Sequence, residues 1–187
     1  MEDLKKQFNE KVVDEMKNEF GYGSRMAVPR LEKVVLNTGI GEKLKGKSTD
    51  KKEEIIEYVS KDIGLIAGQK PVVTKAKKSI SGFDIREGDP VGIMVTLRGG
   101  RMNNFLEKLI NVVFPGLRDF RGLNPNSVDS SGNLTLGIDE QISFPEIPAD
   151  ERDDIFSMQI TITNTAETEK EGLELFKKMG FPFKKDN

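Results

Sequence analysis

Four lysines and one arginine lie close together between residues 70 and 92, and their side chains can all bind phosphate. The segment GQKPVVTKAKKSISGFDIREGDPVG also contains the hydroxyl of Ser79 and several glycines. Cations and hydroxyls on a glycine-rich connection are typical of proteins that contact the phosphates of a nucleic acid. The candidate phosphate-binding cations are Lys70, Lys75, Lys77, Lys78 and Arg86.

Charge is distributed unevenly along the chain, although its formal net charge is only -2. Residues 1–69 carry 13 basic and 13 acidic side chains, residues 70–121 carry 10 and 5, and residues 122–187 carry 6 and 13. Phosphate affinity depends on the local density of cations more than on the charge of the whole chain. The central block therefore predicts a one-sided surface for a polyanion. Charge runs also occur on surfaces that face only water, and charge alone leaves that alternative open.

A second pattern suggests nucleotide chemistry. GEKLKGKS, residues 41–48, satisfies the G-x-x-x-x-G-K-[ST] pattern, in which Lys47 would reach the outer phosphates and Ser48 would hold magnesium. Asp139 and Glu140 could supply carboxylates to the same metal. However, the segment before them alternates apolar and polar residues, whereas the parallel strands of nucleotide-binding folds are continuously apolar. A nucleotide hydrolase is therefore the competing hypothesis.

The composition excludes several kinds of catalysis. The chain has no cysteine and no histidine, so disulfides, thiol nucleophiles and the commonest metal ligand are absent. The acidic run Asp150, Glu151, Asp153 and Asp154 fits no calcium-binding spacing and predicts a solvated loop. Composition leaves open phosphoryl transfer, carboxylate chemistry and binding without chemistry. No apolar run reaches the roughly 18 residues of a membrane span and no signal sequence begins the chain, so we expect a cytoplasmic protein with no membrane partner.

Hydrophobic periodicity predicts the elements that position these residues. Helical spacing predicts helices near 4–20, 53–68, 101–114 and 168–180, with Gly21 and Pro115 as stops after the first and third. Alternation predicts strands near 31–38, 71–75, 91–99, 133–141 and 156–164. This order predicts an α+β protein with one antiparallel sheet, helices packed on one face and the other face available for binding. We expect residues 1–187 to form a single domain, divided into an N-terminal helix (1–27), a first part with the basic hairpin 70–92 (28–100) and a C-terminal part (101–187).

Seven segments, in order, resemble the ribosomal protein L-five family, whose members hold 5S rRNA in the central protuberance of the large subunit. They are VPRLEKVVLNTGIGE, AGQKPVVTKAKKSISGFDIREGDPVGIMVTLRG, RMNNFLEKLI, RDFRGL, GNLTLGIDEQISFPEI, MQITITNTA and FPFKK. The resemblance implies a five-stranded antiparallel sheet and a structural role in translation on the cytoplasmic ribosome. It also implies a protein that is not an enzyme, with no catalytic residue, no metal site and no cofactor. Family members are commonly basic, whereas this chain has a pI ≈ 5.5. We therefore expect its acidic C-terminal third to face protein or solvent.

The resemblance also implies roles for individual residues, with polar strand residues on 5S rRNA and the hairpin loop on peptidyl-site tRNA. The implied 5S rRNA-binding residues are Lys33, Asn37, Thr38, Gly39, Gln69, Lys70, Thr74, Thr96 and Arg98. The implied tRNA-binding residues are Lys75, Lys77, Lys78, Ser79 and Arg86. Other implied partners are the large-subunit rRNA, the small-subunit protein S-thirteen across the subunit bridge, and neighbouring proteins of the central protuberance. A general RNA-binding protein outside the ribosome is a third hypothesis.

Overall fold

The structure is a computed structural model that describes residues 4–118, 120–148 and 154–184. Its helices are α1 (Leu4–Gln7), α2 (Val13–Phe20), α3 (Gly41–Leu44), α4 (Thr49–Ala67), α5 (Gly99–Lys108), α6 (Phe114–Gly116) and α7 (Glu169–Lys178). Its strands are β1 (Leu31–Gly39), β2 (Val72–Lys75), β3 (Pro90–Leu97), β4 (Leu134–Ile138) and β5 (Met158–Asn164). Of the predicted acidic loop, Asp150, Glu151 and Asp153 lie outside the described residues.

The strands form one five-stranded antiparallel sheet in the order β2-β3-β1-β5-β4. Alternation along each strand gives the sheet one buried face, because successive side chains of a strand point to opposite sides. In β1, Val34 and Leu36 are fully buried. The alternate residues Val35 and Asn37, on the opposite face, are half-buried. The predicted α+β class and the predicted faces of β1 are confirmed.

The described chain divides into two compact units, and the divisions fall within strands. The first unit comprises Met1–Val34, Leu97–Leu136 and Thr161–Asn187. The second comprises Val35–Thr96 and Gly137–Ile160. That residues 1–187 behave as one domain stays a prediction.

The first unit contains the terminal helices. Helix α1 continues through a π-helical stretch, Phe8–Val12, into α2. Gly21 ends α2 as predicted: its φ is 72°, and its amide donates to the carbonyl of Lys17 at 2.9 Å. A left-handed residue at this position is the usual way to end a helix, and glycine adopts it without steric cost.

Pro115 does not end the third helix, so that part of the sequence prediction was wrong. Helix α5 passes into a π-helical stretch, Leu109–Val113, and then into α6, which ends at Gly116, one residue beyond Pro115. The amide of Phe114 donates to the carbonyl of Leu109, five residues back. The amide of Leu117 donates to the carbonyls of Val113 and Phe114 at 3.1 and 3.3 Å, which closes the helix directly after the proline. The spacing of apolar residues does not reveal a local change from four-residue to five-residue hydrogen bonds, so the sequence could not show it.

The second unit contains α4 and the β2–β3 hairpin. Val59, Ile63 and Ile66 occur at helical spacing on α4 and are buried. The two strands of the hairpin are antiparallel, and Thr74 pairs with Gly92. Their register shifts after Thr74, which marks an irregularity where the hairpin leaves the sheet. The second unit therefore supplies both the half-exposed sheet face and the basic segment.

Candidate nucleic-acid interface

Thr74, Gly92 and Asn37 lie side by side on the half-buried face of β2, β3 and β1. A Cβ atom at Gly92 would lie 2.9 Å from Oγ1 of Thr74 and 3.7 Å from Oδ1 of Asn37. Because glycine has no side chain, the Thr74 hydroxyl and the Asn37 amide both lie close to the space above Gly92. Together they offer hydrogen-bond donors and acceptors to a ligand lying on the sheet. We call these three residues the polar row.

Gln69 fixes the start of β2 beside the polar row. Gly68 ends α4 in the left-handed region with φ 62°, and the side chain of Gln69 then donates from Nε2 to the carbonyl of Thr96 at 3.2 Å. Lys70, the next residue, is exposed. Gln69 therefore holds β2 and β3 together through its amide, while Lys70 offers a positive charge to solvent.

Thr38 does not join the polar row, although it was among the predicted contact residues. Its side chain is only 1% exposed, since Asn37 on the half-buried face leaves Thr38 on the core face. Its hydroxyl has no hydrogen-bond partner among the described residues. Gly39, at the end of β1, is exposed and offers only its backbone. The side chain of Thr38 is therefore not accessible to RNA in this structure.

Arg98 and Lys33 belong to the first unit. Arg98 lies between β3 and α5, and its Nη1 is 3.3 Å from Oε1 of Glu32. Both side chains of this pair are largely exposed, so the pair adds less than about 1 kcal/mol of stability. Arg98 could therefore exchange Glu32 for a phosphate at little cost. Lys33 is half-buried.

The hairpin continues beyond β2 and β3 as an ordered backbone structure. The amide of Ala76 donates to the carbonyl of Asp89 at 2.8 Å, and Ile80 and Ile85 exchange two backbone hydrogen bonds of 2.8 and 3.2 Å. A short 3-10 turn, Ser81–Phe83, closes the tip. The basic segment, predicted only as a loop or flaring hairpin, thus has a defined shape.

The cations of the hairpin face solvent. Lys75, Lys77, Lys78 and Arg86 are exposed, and within residues 4–118, 120–148 and 154–184 none of their side chains pairs with a carboxylate. Ser79 uses its Oγ to accept a hydrogen bond from the amide of Glu87 at 2.9 Å, which leaves its own proton available. These are the properties of a surface that neutralises phosphates.

Strands β4 and β5 carry polar side chains that were not among the predicted contact residues. In the first unit, the hydroxyls of Thr135 and Thr161 are 3.3 Å apart, and Thr163 is half-buried. In the second unit, Gln159 is exposed. In β5 the polar residues alternate with the buried residues Ile160 and Ile162. This alternation in the segment QITIT, residues 159–163, could have identified the polar residues of β5 from the sequence.

Residues 41–48 do not form a phosphate-binding loop. Their first four residues are helix α3, and the amides of Leu44, Lys45 and Lys47 donate to backbone carbonyls at 3.1, 3.2 and 3.3 Å. In a phosphate-binding loop these amides would point at the ligand. The antiparallel sheet is also the wrong class for such a site. The nucleotide-hydrolase hypothesis, with Lys47 and Ser48 as its key residues, is therefore wrong.

The described residues contain no group of three or more acidic side chains placed to hold a metal ion. None of the helices in those ranges is long and apolar enough to cross a membrane.

The site consists of a polar sheet face and a basic hairpin. Surfaces of this kind contact the backbone and the bases of RNA. This fold and this site are typical of the class of structural RNA-binding proteins.

Comparison with known proteins agrees with this class. Residues 24–86 match the model of the family described as "Ribosomal protein L5", and residues 90–183 match the model that describes the C-terminus of the same ribosomal family. The chain belongs to the ribosomal protein L5 family.

Individual relatives support the membership over nearly the full length. A protein of Kosmotoga olearia named "Large ribosomal subunit protein uL5" is 51% identical over 182 residues, covering 97% of this chain and 96% of the relative. A protein of the same name from Colwellia psychrerythraea is 51% identical over 178 residues, covering 95% of each. Membership confirms the predicted family, the non-enzymatic structural role in the large subunit and the location on the cytoplasmic ribosome. The individual RNA contacts stay predictions.

Proposed function

We propose that this chain binds 5S rRNA and adjoining large-subunit rRNA in the central protuberance. The single observation that carries the proposal is the polar row, in which the Asn37 amide and the Thr74 hydroxyl lie together over Gly92. Further hydrogen-bonding or charged side chains belong to Lys33, Gln69, Lys70, Thr96 and Arg98, and Gly39 contributes backbone. Thr38 is left out because its side chain is buried.

A binding titration tests the 5S rRNA assignment. The purified chain is titrated with 5S rRNA and with an unrelated structured RNA at several salt concentrations. Contacts made only to phosphates weaken steeply with salt and do not distinguish the two RNAs. A preference for 5S rRNA that persists at moderate salt supports the proposal. Equal affinity for both RNAs would instead support a general RNA-binding protein.

In this proposal the hairpin contacts peptidyl-site tRNA, separately from the 5S rRNA contact of the sheet. Its support is the group of exposed cations Lys75, Lys77, Lys78 and Arg86, with Ser79 among them. The double variant Lys77→Ala/Lys78→Ala should weaken tRNA binding and leave 5S rRNA affinity nearly unchanged. The matched control is Lys11→Ala/Lys61→Ala, which removes two exposed lysines elsewhere. Equal loss of both RNAs in the hairpin variant would contradict the separation of tasks.

The acidic C-terminal third has a different role in the proposal. Residues 122–187 carry 6 basic and 13 acidic side chains, a balance that repels RNA and attracts basic proteins. We therefore assign to this acidic third the contacts with small-subunit protein S-thirteen and with neighbouring central-protuberance proteins. Binding of purified S-thirteen that weakens with salt would support this assignment, and no binding at low salt would exclude it.

A further inference from the structure

Phe83, at the tip of the hairpin, is an aromatic residue with no apolar cover. Its side chain is 69% exposed, and the neighbouring Ile80 is 49% exposed. Single exposed apolar residues are ordinary on a protein surface, but two together at the end of a basic hairpin form a small apolar patch. Neither residue has a role in the function proposed above.

The backbone at the tip forms a defined turn around the exposed ring. The amide of Phe83 donates to the carbonyl of Ile80 and that of Asp84 to the carbonyl of Ser81, both at 3.2 Å. Asp84 then takes φ 53°, in the left-handed region, and its carboxylate pairs with Nζ of Lys45 at 2.9 Å. These contacts define the backbone of the turn in the conformation that leaves the Phe83 ring exposed.

The charges around Phe83 indicate what covers it. Lys77, Lys78 and Arg86 are exposed on the same hairpin. Phe83 also borders a cavity of about 290 Å³ whose charged lining residues are Lys45, Lys52, Asp84 and Asp89. Lys77, Lys78 and Arg86 pair with no carboxylate in the described part of the chain, so an apolar protein surface would bury them without a counter-charge, which is costly. RNA offers both an aromatic face for the ring and phosphates for the cations.

We propose that Phe83 stacks on an exposed nucleobase of the RNA that the hairpin cations bind. This inference rests on the proposed hairpin function and extends it from phosphate contact to base contact. Aromatic side chains stack on any base that is unpaired or at the end of a helix, since every base has a π-face. The site would therefore distinguish exposed bases from paired ones, but not one type of base from another.

A tryptophan reporter provides the first test, because the chain has no tryptophan of its own. Phe83→Trp is titrated with a short oligoadenylate and with an abasic ribose-phosphate oligomer of equal length. Stacking should quench the indole fluorescence saturably with oligoadenylate and not with the abasic oligomer. Met26→Trp, at a position 81% exposed on the first unit, is the control and should not respond. Equal quenching by both oligomers would overturn the proposal.

Affinity provides the second test, with oligoadenylate and tRNA as probes. Phe83→Ala should bind each about 5- to 150-fold more weakly, the loss expected for one stacked base. Phe83→Tyr should bind like the native chain, and Phe83→Leu should bind like Phe83→Ala. Unchanged affinity in Phe83→Ala, or full retention in Phe83→Leu, would overturn the stacking role. If the Phe83 variants show no stacking but Lys77→Ala/Lys78→Ala still weakens tRNA binding, the proposed hairpin function holds and only the stacking role is overturned.

Discussion

The backbone of Gly172, in the first turn of α7, lies against the backbone of Gly132, in the turn before β4. A Cβ atom at Gly172 would overlap the carbonyl oxygen and the Cα of Gly132. The position of Gly132 is itself fixed, because its carbonyl accepts a 2.6 Å hydrogen bond from Nδ2 of Asn164 and its φ is 79°. Helix α7 therefore packs in the first unit through a contact between two backbones.

Gly172→Ala should destabilise the chain. The added methyl group meets backbone atoms, which cannot rotate away as a flexible side chain would. Overpacking of this kind costs about 1–3 kcal/mol, more than the roughly 1 kcal/mol that alanine gains over glycine in a helix. We expect a lower midpoint of urea unfolding.

Gly100→Ala is the matched control for this prediction. Gly100 is also in the first turns of a helix, α5, but no neighbouring atom lies within 4 Å of its Cβ position. The substitution should be neutral or slightly stabilising. If both alanine variants unfold at the same urea concentration, the contact with Gly132 does not constrain α7.

Most of the secondary structure follows from the sequence because it depends on local patterns. The alternation around Val34 and Leu36 gave the strand β1 and its buried face, and the spacing of Val59 and Ile63 gave α4. The error at Pro115 has a different origin. Proline normally ends a helix, but here a π-helical stretch precedes it and the helix continues for one residue beyond it, to Gly116.

The site was only partly predictable. The hairpin cations stand in one segment and were visible as a charge cluster, whereas Arg98 and Glu32 are 66 residues apart and their pairing required the fold. Asn37 and Thr38 were predicted together through the family resemblance. Adjacent strand residues point to opposite faces, so only one of them can lie in the polar row. Phe83 belongs to no periodic pattern, and only its exposure made it a candidate.

Gly92→Ala should disturb the polar row. The new Cβ atom would lie 2.9 Å from Oγ1 of Thr74 and 3.1 Å from the carbonyl oxygen of Thr38, so β2 or the Thr74 side chain must shift. We expect a loss of about 1–3 kcal/mol in the free energy of unfolding. We also expect weaker 5S rRNA binding, measured by titration at a temperature where the variant is folded.

Gly137→Ala is the control for Gly92→Ala, because it adds the same methyl group to a strand glycine, in β4, with no atom within 4 Å. It should leave both stability and 5S rRNA affinity nearly unchanged. An unaltered affinity in folded Gly92→Ala would show that the polar row is not part of the RNA contact.

Thr38→Val should stabilise the chain without changing RNA binding. The hydroxyl of Thr38 is buried and has no hydrogen-bond partner in the described residues, and such a group costs about 1–3 kcal/mol. Valine has nearly the same shape without that hydroxyl, so we expect a rise of about 1 kcal/mol in the free energy of unfolding. Thr163→Val, on the half-buried face, is the control and should change stability little. Weaker 5S rRNA binding by Thr38→Val would show that Thr38 reaches RNA after all.

Tyr22 and Glu171 link the stability of the first unit to pH. The hydroxyl of Tyr22 donates to Oε1 of Glu171 at 2.5 Å, while Oε2 accepts from the amides of Glu167 and Thr168 at 3.0 and 3.1 Å. Burial raises the pKa of Glu171, but these hydrogen bonds outweigh burial and hold the pKa below its usual value of 4.5. Burial, and then the bond to Glu171, raises the pKa of Tyr22 above its usual value of 10.0.

Tyr22→Phe should therefore make stability less sensitive to acid. A depressed carboxyl pKa gives stability that is complete above the ordinary pKa, near 4.5, and is lost as pH falls through the lower folded value. Without the Tyr22 hydroxyl the pKa of Glu171 moves up, so urea unfolding should show about 1 kcal/mol less stability at pH 7 and a shallower loss below pH 4.5. Glu169→Gln, in the same turn of α7, should keep the native dependence on acid. A steeper acid loss in Tyr22→Phe than in the native chain would mean that another carboxyl dominates acid unfolding.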